Sequence, residues 1–188
     1  MPDGAVKVTP RYGWQDLIIP GERLALLRGI CVHARNRGQI GPVRGVGGRL
    51  FSRKGLLALF AGSAGSGKTM AAEVIANDLG LDLYRIDLSQ VVSKYIGETE
   101  KNLDRIFAAA EASRAVLYFD EADALFGRRT EVRDSHDRYA NIEINYLLQK
   151  LESYEGVAIL ATNHRRDMDE AFIRRMYVVI DFTEPDNV

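Results

Sequence analysis

The chain has 188 residues, 46% of them hydrophobic and 27% charged, with 17 glycines, 5 prolines and a net charge of −1. That composition fits one globular domain and excludes disordered, collagen-like and low-complexity chains. The lone cysteine, Cys31, excludes a disulfide framework or a cysteine-based zinc site. With no apolar run of bilayer length and no signal-peptide pattern at Met1-Pro2-Asp3, a soluble, cytoplasmic protein is expected.

Residues 1–20, with Pro2, Pro10, Gly13 and Pro20, read as an irregular lead-in, and residues 21–188 as the folded domain. Leu24, Leu27, Ile30 and Cys31 recur at helical spacing and predict a helix over Glu22–Arg37. A glycine-rich loop from Gly38 to Gly48 follows. Leu56–Ala61 is a continuous apolar run, as a strand buried on both faces requires. Thr69–Leu79 carries Ala71, Val74, Ile75 and Leu79 on one helical face, with Gly80 placed to stop the helix. Leu81–Leu88 reads as a strand. Glu98–Ala112 reads as a helix with Leu103, Ile106, Phe107 and Ala110 inward, and Ala115–Phe119 as a buried strand. Asp137–Glu152 is a helix striped by Ile142, Leu147, Leu148 and Leu151. Val157–Ala161 and Tyr177–Phe182 complete the strands, with a short helix at Asp169–Arg175 between them. This alternation predicts an α/β fold with a five-stranded parallel sheet and helices on both faces, binding ligands at the carboxyl ends of its strands.

Charge is uneven along this order. Residues 1–55 hold 10 Lys/Arg against 3 Asp/Glu, whereas residues 56–188 hold 15 against 23. The acid-free stretch Arg23–Lys54 fits a nucleic-acid contact, a solvated face, or a face that meets the acidic side of a neighbouring copy. No aromatic stacking pattern accompanies it, and nucleic acid is not the expected partner.

The chemistry concentrates after the first buried strand. Gly62-Ser63-Ala64-Gly65-Ser66-Gly67-Lys68-Thr69 has the G-x-x-x-x-G-K-[ST] pattern of a phosphate-binding loop, in the strand–loop–helix setting that such a loop needs. Glycines let the backbone wrap round phosphates, the helix N-terminus adds its positive end, Lys68 reaches the outer phosphates and the Thr69 hydroxyl binds Mg²⁺. Residues Gly62 to Met70 are therefore the candidate nucleotide-binding segment. At the end of another apolar strand stand Asp120 and Glu121. Asp120 is placed to hold the Mg²⁺ hydration shell and Glu121 to orient and polarise the attacking water. Asp120-Glu121-Ala122-Asp123 also spells the D-E-A-D of RNA helicases. Those enzymes need two such domains and a Ser-Ala-Thr motif, which this chain lacks. His33, His136 and His164 show no metal-ligand spacing.

Ala161-Thr162-Asn163 ends the next strand, and Asp169-Glu170-Ala171-Phe172-Ile173-Arg174-Arg175 is a short helix closed by two arginines. With these elements the sequence resembles the AAA+ ATPases, in particular the AAA clade of katanin, spastin and the Cdc48-type unfoldases. The resemblance runs from about Gly13 to Pro185. It implies a P-loop NTPase large subdomain, with Asn163 as the sensor-1 residue beside the terminal phosphate. Arg174 and Arg175 correspond to arginine fingers donated to a neighbouring subunit. It also implies that Lys94, Tyr95 and Ile96, within Ser93–Asn102, form a pore loop gripping polypeptide, with a second pore loop at Arg133–Tyr139. Ser93–Asn102 and Asp134–Asn141 are similar to a bacterial subgroup often encoded beside phage-tail-like contractile injection particles. Members of the family continue into a helical lid, which is expected to be absent because the chain ends at Asp186-Asn187-Val188.

The expected function is Mg²⁺-dependent ATP binding and hydrolysis, with ATP and ADP as ligands. Other copies of the chain in a hexameric ring and an unidentified protein client are the expected partners, and no membrane is. A machine acting on nucleic acid and a nucleotide-gated scaffold with little turnover are the alternatives.

Overall fold

The computed structural model describes residues 2, 4–36, 43–44, 50–51, 55–92, 97–126 and 135–182. Strands β1 (Ala5–Val8), β2 (Val43–Arg44), β3 (Leu50–Phe51), β4 (Leu56–Gly62), β5 (Leu83–Asp87), β6 (Val116–Asp120), β7 (Val157–Thr162) and β8 (Val178–Phe182) form two sheets. The large one has the order β1-β5-β6-β7-β4-β8. All its neighbouring pairs are parallel except β1 with β5. It therefore has six strands where five were expected, and it is mixed. Strands β2 and β3 make a two-residue antiparallel ladder within the basic, glycine-rich stretch.

The extra strand corrects the reading of residues 1–20 as irregular. Ala5-Val6-Lys7-Val8 pairs antiparallel with Ile86 to Leu83. The Lys7 ammonium also reaches the Asp82 carboxylate at 2.8 Å, which raises the lysine pKa. Ala5 is buried and Val6 exposed, as expected of an edge strand with one face on the core.

Helices α1 (Gly21–Arg35), α2 (Lys68–Leu79), α3 (Leu88–Val91), α4 (Glu98–Ser113), α5 (Asp123–Phe126), α6 (Ser135–Ser153) and α7 (Glu170–Ile173) flank the sheet. Because successive strand residues point to opposite faces, each central strand feeds two cores. Leu57, Leu59, Leu117, Phe119 and Leu160 meet α4 and α6 through Leu103, Ile106, Phe107, Leu147 and Leu151. Ala58, Phe60, Tyr118, Ile159 and Ile180 meet α1 and α2 through Leu27, Ile30, Ala71, Val74 and Ile75. Each fully buried Leu or Phe contributes roughly 1.5–3 kcal/mol. This double burial is why β4 and β7 read as unbroken apolar runs.

Helix ends follow local chemistry. Gly80 takes the left-handed conformation that closes α2, its N–H donating to Ala76 O and Asn77 O. Arg114 does the same for α4 at φ 54°, without a glycine to announce it. Among the described residues, no helix is long and apolar enough to cross a membrane.

Candidate phosphate-binding site

Strand β4 runs straight into the glycine-rich loop, and α2 starts at Lys68. Gly62 lies where no side chain fits, since a Cβ there would stand 2.2 Å from the Phe182 carbonyl oxygen of β8. Gly67, at φ 96°, sits in the left-handed region as it turns the chain into α2. The Ser66 hydroxyl is buried and has no hydrogen-bond partner among the described residues, an orphaned polar group inside the loop. Ala64 and Gly65 are exposed, Ser63 is half-buried, and Met70 packs against the core beneath α2.

Lys68 is 6% exposed. Its ammonium turns back onto the loop, donating to Gly62 O at 2.6 Å, Ser63 O at 2.8 Å and Asn163 Oδ1 at 3.1 Å. Burial holds its pKa below the ordinary lysine value, with the Asp120 and Asp123 carboxylates pulling the other way. The Thr69 hydroxyl lies 3.2 Å from the Tyr118 hydroxyl, which projects from the buried face of β6. Burial pushes that phenol well above its ordinary range.

Strand β6 delivers the two acids. One Asp120 oxygen accepts from Arg85 Nη2 at 2.7 Å and the other from the Glu121 N–H at 3.0 Å. Glu121 is exposed and sits at φ 60°, an uncommon conformation for a residue with a side chain. Next to it, the end of β7 brings Asn163 onto Lys68. The Asp123 carboxylate accepts a hydrogen bond from the Thr162 hydroxyl on one oxygen and from the Asn163 N–H, at 3.0 Å, on the other. An open cleft of about 380 Å³ extends from Gly62 and Asn163 toward Arg165, Arg166, Asp181 and Phe182. Arg165 and Asp181 form an ion pair across it.

The expected residues thus gather at the carboxyl ends of β4, β6 and β7, three adjacent strands. Lys68, Asn163 and the loop share direct bonds, and Asp120 and Glu121 stand on the neighbouring strand end. Arg174 and Arg175 follow α7 and pair elsewhere, Arg174 with Glu170 at 3.7 Å and Arg175 with Glu152 at 3.5 Å. Lys94, Tyr95 and Ile96, like the stretch 127–134, lie outside the described residues.

Three contributors escaped the motif reading: Asp123, Arg85 and Tyr118. Asp123 was visible as the fourth letter of D-E-A-D, and Tyr118 as the residue two before Asp120, on the same face of the strand. Arg85 had no signal, because only the pairing of β5 with β6, which sets it opposite Tyr118, brings its side chain within reach of Asp120.

The donor set fits an anionic oxygen chain with a hard cation. A left-handed loop at a helix N-terminus, a buried ammonium and an unpartnered buried hydroxyl suit phosphate oxygens. A hydroxyl and a carboxylate are the oxygen ligands that Mg²⁺ takes.

A sequence model of the AAA family, the ATPase family associated with various cellular activities, matches residues 58–184. The chain is 32% identical over 186 residues to the AAA family ATPase y4kL of Sinorhizobium fredii, covering 98% of this chain and 54% of that protein. It is 30% identical over 193 residues to cell division protein C of Sulfolobus acidocaldarius, covering 98% and 49%. With the ATP-dependent zinc metalloprotease FtsH 3 of Sphaerobacter thermophilus it shares 36% identity over 121 residues, covering 62% and 24%. The chain therefore spans about half the length of the first two relatives and less of the third. Sequence match, parallel-sheet topology and the loop at the end of β4 agree that this chain belongs to the AAA family of ATPases.

Proposed function

We propose that this chain binds ATP with Mg²⁺ and hydrolyses it, as a subunit of a hexameric ring that remodels or unfolds protein. The observation that carries the reading is the Lys68–Asn163 hydrogen bond. It ties the start of α2, whose Lys68 also holds the end of β4, to the end of β7, and the neighbouring strand end presents Asp120 and Glu121. Gly62, Ser63, Ala64, Gly65, Ser66, Gly67 and Met70 line or support the cradle. Lys68 exchanges its loop carbonyls for phosphate oxygens when nucleotide enters. Thr69 and Asp120 would hold Mg²⁺, in part through water, and the ion would offset phosphate charge. Glu121 takes the proton of the attacking water, giving ADP and inorganic phosphate, and Asn163 contacts the terminal phosphate.

Arg174 and Arg175 sit on the chain's exterior after α7, and their half-open ion pairs leave them available to a neighbouring copy's nucleotide. Lys94, Tyr95 and Ile96 grip an extended polypeptide at the ring axis. A protein client is supported by the AAA resemblance and by a relative whose name describes an ATP-dependent protease.

Calorimetry with Mg·ATP and steady-state phosphate release test the reading together. Glu121→Gln should bind ATP as the unaltered chain does while releasing phosphate about 100-fold more slowly. Unchanged turnover in that variant removes Glu121 from the reaction. Stimulation of the unaltered chain by unfolded polypeptide supports a protein client, and a response to nucleic acid alone argues against it.

A further inference from the structure

The last acid of Asp120-Glu121-Ala122-Asp123 has no role in the reading above, yet its carboxylate holds the turn that carries Asn163. Both of its oxygens are engaged from β7: the Thr162 hydroxyl donates to Oδ1, and the Asn163 N–H donates to Oδ2 at 3.0 Å. Thr162 is 1% exposed, and its hydroxyl oxygen in turn accepts the His164 N–H at 3.1 Å. Alongside, the Ala122 N–H donates to Ala161 O at 3.0 Å. The turn leaving β6 and the turn leaving β7 are thereby stitched together by three bonds. An ionised carboxylate, which only accepts, matches two donors aimed at it.

The stitching has a consequence for Asn163. Its backbone is fixed through its own N–H, and its side-chain oxygen accepts a hydrogen bond from the Lys68 ammonium at 3.1 Å. With its oxygen engaged by Lys68, the carboxamide keeps its NH2 group as a donor for a further anion. Glu121 lies two residues before Asp123, so the same carboxylate also ties the Glu121 turn to the Asn163 turn.

We propose that Asp123 is a positioning residue: by holding the Thr162–Asn163 turn it aims the Asn163 carboxamide at the terminal phosphoryl group of a bound nucleoside triphosphate, and so sets the preference for triphosphate over diphosphate. This inference rests on the nucleotide site proposed above. Asp123 itself touches no phosphate and acts through Asn163.

The test is equilibrium binding of fluorescent ADP and of a non-hydrolysable ATP analogue, each with Mg²⁺. The proteins are the unaltered chain, Asp123→Ala, Asp123→Asn, Asn163→Ala and the double variant Asp123→Ala/Asn163→Ala. Asp123→Ala should weaken the triphosphate analogue by about 10–100-fold while ADP affinity stays within about threefold. Asp123→Asn keeps one acceptor and should fall between. The double variant should bind no worse than Asn163→Ala alone, because both changes remove one interaction.

Equal loss of both nucleotides in Asp123→Ala, or losses that multiply in the double variant, overturn the proposal. Should Asp123→Ala lose its cooperative thermal transition, Asp123→Asn carries the same comparison alone and in the Asn163→Ala background. Triphosphate and diphosphate binding that match the unaltered chain in every Asp123 variant refute the positioning role and leave the nucleotide site standing. An unaltered chain that binds neither nucleotide takes down the site reading and this inference together.

Discussion

Gly62→Ala puts one methyl group into the most crowded joint of the site. The new Cβ would stand 2.2 Å from Phe182 O, 2.9 Å from Phe182 Cβ and 2.9 Å from Ser66 Oγ. The first of these contacts is with backbone, so it cannot be relieved by a rotamer change. Strand β8 has to part from β4 where Gly62 opposes Phe182, or the loop has to lift away from β8. Overpacking of this kind costs about 1–3 kcal/mol. For a chain of this size that corresponds to a melting temperature lower by about 3–10 °C. The displaced Ser66 should also weaken ATP binding. Gly65→Ala is the internal comparison: its φ of 80° carries a backbone cost, but no atom of the described residues lies within 4 Å of its Cβ. Circular dichroism melts and calorimetry with Mg·ATP read both variants. A Gly62→Ala protein that melts and binds like the unaltered chain refutes the close packing of β8 against the phosphate loop.

Lys68→Ala removes the buried ammonium and should abolish detectable ATP binding while leaving a cooperative melt; binding retained within about tenfold contradicts its role. Cys31 is pushed up to about 12, first by burial and then by its contact with Asp78, so the native thiol should react with a disulfide reagent at pH 8 far more slowly than the unfolded chain. Because the folded thiol titrates above the unfolded one, its contribution to stability is full below about pH 9 and is lost as pH rises toward 12. Urea titrations of the unaltered chain and Cys31→Ala across that window should differ in slope, and identical slopes refute the shift. Arg175→Ala breaks only a half-exposed 3.5 Å ion pair with Glu152, so its melting temperature should stay within about 2 °C. Its phosphate release should nonetheless fall, and mixing with Lys68→Ala subunits should restore part of it; no recovery in mixed assemblies argues against donation to a neighbour.

The parts of the fold that were legible are those whose neighbours lie on both faces. Leu56–Ala61 and Val157–Ala161 announce buried parallel strands because no residue in them meets water. Ala5–Val8 did not, because four residues between prolines carry too short an alternation, and its partner Leu83–Ile86 is remote in sequence. The same contrast holds in the site. Lys68 and Thr69 were readable because the loop, its glycines and its helix are contiguous, so the chemistry is written within eight residues. Asp123, Arg85 and Tyr118 bond to Asn163, Asp120 and Thr69, partners supplied by other elements of the fold. D-E-A-D looked like a helicase signature to be set aside, whereas its fourth residue binds the neighbouring turn.

Helix α2 begins at the phosphate loop and ends in a clasp. Trp14 Nε1 donates to Asp78 at 2.9 Å, Arg35 grips both the carboxylate and the carbonyl of Asp78 at 2.6 Å, and Asn77 donates to Tyr12 O at 2.8 Å. The twelve residues of α2 make a stiff rod about 18 Å long. A pull on the segment around Tyr12 and Trp14 would load the helix that begins at Lys68, so the amino-terminal arm is mechanically continuous with the candidate phosphate loop.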